Sequence, residues 1–226
     1  MVIVICFSLI IITNAKSSIS TVKIREDEDK PIILIDPGHG GLDGGAVSKS
    51  GTVEKHINLK ISLKLKEELE KKGFKIVMTR NEDVGLYSDK GKVRNKKIED
   101  LNNRCKMKKT SNCNMFISIH LNKFSQSKYY GAQVWYSKNP DSRKLAEVIQ
   151  SNIIVDLDNG NYRKSKPAEN MYKILRNNDE MPSVIVECGF LSNEKEETML
   201  KEEEYQKKIA KSIGRSIEEY FKNSLN

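Results

Sequence analysis

Two short apolar runs limit what this chain can fold into: Ile32-Ile33-Leu34-Ile35 and Met115-Phe116-Ile117-Ser118-Ile119. Their length and β-branched content suit strands buried on both faces. Each run also delivers an imidazole at its C-terminal end: His39 after Asp36-Pro37-Gly38, and His120 directly. In an open α/β sheet that edge is where ligands bind. The chain has only three histidines, so two placed this way point to a metal site built across neighbouring strands.

The rest of the pattern extends this frame. From about Val53, Ile57, Ile61, Leu65 and Leu69 recur at helical spacing, with Leu59 and Leu63 beside them, until Gly73 stops the run. Residues 74–78 read as a second strand, 81–91 as a loop, and 96–108 as a polar helix. Residues 131–136 read as a strand, and 142–155 as a helix with Leu145, Ile149 and Ile153 on one face. A loop over 156–170 follows, then short strands at 172–175 and 184–186, and a charged helix over 202–221. Strands alternating with helices predict one α/β domain over residues 31–222, a mainly parallel twisted sheet with helices on both faces. Ahead of it, residues 1–12 are almost wholly apolar yet too short to span a bilayer comfortably. With Ala15 as a small residue before cleavage, residues 1–15 read as a signal peptide or short anchor, although the basic start of such a peptide is missing. Residues 16–30 read as a linker, and the chain is expected to be exported, touching membrane only through an uncleaved leader.

Composition narrows the function. With 38% hydrophobic and 31% charged residues the chain is a soluble globular body. Its formal net charge of +8 is spread along the length, which fits a solvated basic surface or attraction to an anionic polymer. Nucleic acid is a weak candidate as a partner and is not expected: there is no zinc-finger spacing, aromatic RNA-binding signature or concentrated basic stripe. Gly38-His39-Gly40-Gly41 lacks the third glycine of a dinucleotide fingerprint, and no Gly-Lys-Ser/Thr follows. The glycines instead let the backbone turn sharply under His39. Outside the leader, which holds Cys6, the cysteines are Cys105, Cys113 and Cys188. They are odd in number and lack Cys-x-x-Cys spacing, so they read as buried free thiols.

A zinc hydrolase takes three protein ligands and keeps a fourth position for water. His39 and His120 supply two; the third is Glu54 or His56, and residues two apart on a helix do not share a face. Composition does not decide between them. Glu187 ends the apolar run Val184-Ile185-Val186, a costly place for a carboxylate unless a cation or a reaction needs it. It could take a proton from a metal-activated water or simply pair with an arginine such as Arg176. Cys188 beside it reads as core, because both well-placed histidines are better used as ligands.

Taken together, Asp36-Pro37-Gly38-His39-Gly40-Gly41 with Asp43-Gly44-Gly45-Ala46, Gly51-Thr52-Val53-Glu54-Lys55, Thr79-Arg80, Phe116-Ile117-Ser118-Ile119-His120-Leu121-Asn122, Leu175-Arg176 and Val186-Glu187-Cys188-Gly189-Phe190-Leu191-Ser192-Asn193 resemble the zinc-dependent N-acetylmuramoyl-L-alanine amidases, the type-3 amidase family of bacterial cell-wall hydrolases. The resemblance implies that His39, Glu54 and His120 bind Zn²⁺, choosing Glu54 over His56, and that Glu187 is the catalytic carboxylate. It implies peptidoglycan, glycan strands with stem peptides, as substrate, and cleavage between N-acetylmuramic acid and L-alanine. Gly131-Ala132-Gln133-Val134, with no separate wall-binding domain in view, resembles the germination-specific, spore-cortex branch. That places the protein in the cell wall or the spore intermembrane space, where a lone catalytic domain would use a protein partner for positioning. Two rival readings are a wall-binding module with structural zinc and a zinc peptidase acting within the stem. The sequence departs from the family at Lys108-Lys109, usually Ala-Asn, and at Leu121, usually alanine; residues 156–170 lack the family's Arg-Gly pattern.

Overall fold

The computed structural model describes residues 30–157 and 160–224; the expected leader and nearly all of the expected linker lie outside them. In chain order the elements are β1 (Ile32–Pro37), α1 (Glu54–Lys71), β2 (Lys75–Met78), α2 (Val93–Thr110), β3 (Met115–Asn122), β4 (Gln133–Tyr136), α3 (Pro140–Leu157), β5 (Lys166–Pro167), α4 (Lys173–Arg176), β6 (Ser183–Phe190), α5 (Glu194–Lys201) and α6 (Glu203–Ser224). The strands form one six-stranded sheet in the order β2-β1-β3-β6-β4-β5. All neighbours run parallel except β4 and β6, which are antiparallel. This is the expected α/β domain, a mainly parallel sheet covered on both faces. No described helix is long and apolar enough to cross a membrane.

The alternation of side chains along each strand splits the core in two. Ile33, Ile35, Ile117, Ile119, Val184 and Val186 face one way, against Ile57, Ile61, Leu65 and Leu69 of α1 and the apolar stripes of α3 and α6. The helical spacing read from α1 is therefore its buried face. Leu34, Phe116 and Ile185 face the other way, into a smaller cluster with Cys105, Ile174, Leu175 and Met181. Cys105, Cys113 and Cys188 are free and buried, as expected.

Besides the short β5, which lies within the expected loop over 156–170, two elements differ from the reading of the sequence. Residues 172–175 form no strand; they enter the single helical turn of α4. Tyr172, Ile174 and Leu175 have strand-like side chains, but Ile174 and Leu175 are buried under α2 rather than in a sheet, so tertiary packing overrides local preference. The second is α5, which precedes the terminal helix as a separate element. Asn193 caps it, its side chain accepting from the amides of Lys195 and Glu196.

Candidate metal centre

The C-terminal ends of β1 and β3 lie side by side, since Pro37 pairs with Ile119 in the parallel register. His39 and His120 are thereby brought together with ring centroids 4.9 Å apart. Glu54 reaches them from the first turn of α1. Its Oε1 lies 3.0 Å from His120 Nδ1 and its Oε2 3.2 Å from His39 Nε2. One ligand-type atom from each of the three residues falls within 4.8 Å of the others, so this group could hold a metal ion. His56 is not part of it: it is 53% exposed and its nearest acidic partner is Asp83 at 3.9 Å. One turn position on α1 separates a buried carboxylate from an outward imidazole.

The cluster is held from behind. His39 Nδ1 donates to Asp43 Oδ2 at 2.8 Å, and Lys97 Nζ donates to Asp43 Oδ1 at 2.7 Å. Burial works against a charged His39, but its hydrogen bonds to Asp43 and Glu54 prevail and push its pKa up to about 9. Glu54 also accepts from the amides of Ala46 (2.8 Å) and Leu121 (3.0 Å) and from Asn58 Nδ2 (3.1 Å). Its burial favours the neutral acid, yet the two imidazoles hold its pKa far below the ordinary carboxylate range. The glycines leave room for this arrangement. A Cβ on Gly38 would fall 2.3 Å from His120 Cε1, and one on Gly45 2.5 Å from Glu54 Oε2.

His39 itself has φ 62°, the left-handed region that costs a side-chain-bearing residue energy. Two buried guanidinium groups hold it there. Arg80 Nε is shared between Pro37 O (3.0 Å) and His39 O (2.7 Å), and its Nη2 donates to Gly38 O at 3.0 Å. Arg104 donates to Pro37 O (2.9 Å) and His39 O (2.6 Å). Its own charge is met by Asp36 and Asp100, each at 2.6 Å. On the far side, Glu197 of α5 accepts from Ser48, Ser50 and Thr52, bolting down the loop that leads into α1. Sequence reasoning missed these supports. Arg80 and Arg104 gave a faint signal, one ending a strand and the other set in a polar helix beside apolar Leu101 and Cys105.

Glu187 stands next to the cluster, paired with His120 in the β3–β6 register. Its Oε2 is buried without a hydrogen-bond partner. Burial raises its pKa, Glu54 adds to the rise, and His120 and His39 oppose it; the result is about 7. Among the described residues no ion pair joins Glu187 to Arg176, which instead donates to Asn170 O at 2.9 Å. A cleft of about 380 Å³ opens over the cluster, with His39, His120, Lys97, Tyr172 and Arg176 in its walls. An unpaired carboxylate near neutrality, beside a candidate metal group, can trade a proton with a water held at that group.

Known proteins resemble this chain over most of its length. A family profile described as N-acetylmuramoyl-L-alanine amidase matches residues 33–219. The germination-specific N-acetylmuramoyl-L-alanine amidase of Bacillus subtilis (strain 168) is 39% identical over 193 residues, which are 84% of this chain and 79% of that protein. The CwlD amidase from Clostridioides difficile, solved in complex with the GerS lipoprotein, superposes with a TM-score of 0.83 at 46% identity, covering 87% of this chain and 100% of that one. An N-acetylmuramoyl-L-alanine amidase from Clostridium difficile 630 gives 0.73 at 32% identity, covering 85% and 97%.

Proposed function

The chain belongs to the N-acetylmuramoyl-L-alanine amidase family, and we propose that it hydrolyses the amide between N-acetylmuramic acid and the L-alanine of the stem peptide with Zn²⁺ held by His39, Glu54 and His120. The residues present suit that ion. Two imidazoles and one carboxylate are a hydrolytic zinc set with a position left for solvent. Asp43 behind His39 is the outer carboxylate that such ligands use to fix their tautomer. When bound, Zn²⁺ acts as a Lewis acid that acidifies water and polarises a carbonyl.

The observation that carries the reading is the unpartnered, buried Oε2 of Glu187 beside His120. In this reading Glu187 accepts a proton from the attacking water and returns it to the departing alanine nitrogen. Burial raises the pKa of Glu187 above the ordinary carboxylate range, which suits a group that must both take and return a proton. The walls of the cleft position the substrate and limit water around the reacting carbonyl.

The name of the Bacillus subtilis relative supports a role in spore cortex, hence export to the cell wall or spore intermembrane space, with the predicted leader as the means. The Clostridioides difficile neighbour was solved with a lipoprotein, which supports a protein partner that positions this chain on the wall.

Metal content decides the ligand set: Glu54→Ala loses zinc and His56→Ala keeps it. Glu187→Ala is expected to keep zinc and to release no stem peptide from purified wall. Product mass separates the rival chemistries. An intact stem peptide with a free L-alanine amine marks this amide, whereas a shorter peptide would mark cleavage within the stem. Wall binding without chelator-sensitive release would mark a module with structural metal.

A further inference from the structure

Lys108 is among the largest side chains that the fold buries completely, and the chemistry above does not use it. It lies on α2 and points under the helix toward α4. Its Nζ donates to Ile174 O and Asn177 O, each at 3.0 Å, and sits 5.0 Å from the centroid of the Phe116 ring. An ammonium has three N–H groups, and here two meet carbonyls while the aromatic face takes up the remaining positive charge. Those carbonyls belong to the last turn of α4 and to the residue after it, where a helix has no internal donors left.

A helix of four residues has no stability of its own. Everything that fixes α4 comes from outside, and most of it from α2. Besides Lys108, the Asn178 side chain donates to Cys105 O at 2.6 Å, and Lys173 Nζ donates to the Asn102 side chain. The segment so fastened is a wall of the cleft over the metal group: Tyr172, Lys173 and Arg176 line it opposite His39 and Lys97. Tyr172 lies near enough to the reacting groups for their charge to matter. Burial first, then Glu187 and Glu54, push its phenol up to about 12, so it stays a hydrogen-bond donor at any working pH.

A methionine or leucine would fill the space of the Lys108 stem. Neither would satisfy the two carbonyls, and burying an ammonium is costly, so filling space alone does not explain a lysine. We propose that Lys108 is a positioning residue: its ammonium locks residues 172–177 as the substrate-facing wall of the cleft, so that Tyr172 and Arg176 meet the substrate in fixed places. This rests on the amidase reading for the identity of the substrate, but not for the mechanical role of Lys108.

The test uses zinc-loaded wild type, Lys108→Met, Arg176→Ala and the double variant. Amide exchange of Leu175, Arg176 and Asn177 is expected to quicken about tenfold in Lys108→Met, with β3 and β6 unchanged. Zinc affinity from chelator competition stays within about twofold, since no ligand touches α4. On a muramyl-peptide substrate, KM rises about tenfold for each single variant and no further for the double, while kcat stays within about twofold, because both changes act through one wall. Ile213→Val, in the opposite core layer, gives a comparable loss of stability without moving KM. Unchanged exchange in the segment, multiplied KM effects in the double variant, or loss of zinc would each overturn the proposal. If Lys108→Met does not fold, Lys108→Gln, a shorter, uncharged donor, is expected to shift exchange and KM in the same direction by a smaller factor, and no shift in either overturns the proposal. Wild type that releases no stem peptide would sink the amidase reading, while the exchange measurement would still judge Lys108.

Discussion

Glu187 keeps its proton longer than an ordinary carboxylate, because burial lifts its pKa from 4.5 to about 7. Between those values the folded metal-free protein carries a proton that the unfolded chain has lost. The group therefore favours the fold fully below 4.5, and that contribution fades as pH rises through 7. Glu187→Gln is expected to make the metal-free protein more stable by roughly 3 kcal/mol above pH 7 and to abolish turnover. Urea unfolding across pH, beside the rate of peptide release, checks both halves. For wild type, kcat/KM should fall on the acid side of the Glu187 pKa, which the zinc charge draws below its metal-free value of about 7. Asp43→Ala should weaken zinc binding about 10- to 100-fold by releasing His39 from its outer hydrogen bond, read by chelator competition. Gly38→Ala is a harsher change. Its methyl group would occupy the His120 ring, so the variant should bind no zinc at all.

Among the elements, the turn after β1 depends on two guanidinium groups, one just past the end of β2 and one on α2. Arg104→Leu would strip the Pro37 and His39 carbonyls of a donor and leave Asp36 and Asp100 buried without their cation. A loss of about 3–5 kcal/mol in urea unfolding is expected, with zinc affinity falling alongside as His39 relaxes from its left-handed backbone. Little of this could be read from residue order, because hydrogen bonds to main-chain carbonyls leave no periodic trace. What the chain did reveal were elements that bury a regular face: Ile57, Ile61, Leu65 and Leu69 on α1, and the continuous apolar runs of β1, β3 and β6. Tyr172 to Leu175 misled because one turn is too short for any period to show, and its conformation is set by Lys108 and its neighbours on α2. The antiparallel course of β4 was equally hidden; nothing in Gln133 to Tyr136 encodes direction. The start of α5 had a signal, Asn193 followed by acidic residues, that a reading centred on apolar spacing passed over.

For the molecule as a unit, the site was more legible than its scaffold. His39, His120 and Glu187 each end or interrupt an apolar strand, where polar groups stand out, whereas the choice of Glu54 over His56 needed the family pattern. The net charge of +8 belongs to this level too. If it draws the protein to an anionic wall, the fraction retained on sedimented peptidoglycan should drop between about 50 mM and 500 mM salt as screening shortens; salt-insensitive retention would assign that role to a partner instead. Strand order carries a last implication. The strand bearing Glu187 is the sixth to be made, yet it lies inside the sheet, between the third and the fourth. A nascent polypeptide that has not yet reached β6 thus lacks both the proposed proton carrier and the centre of its scaffold. In this reading hydrolytic power arrives only once β6 has been made and inserted, a delay built into the order of the strands.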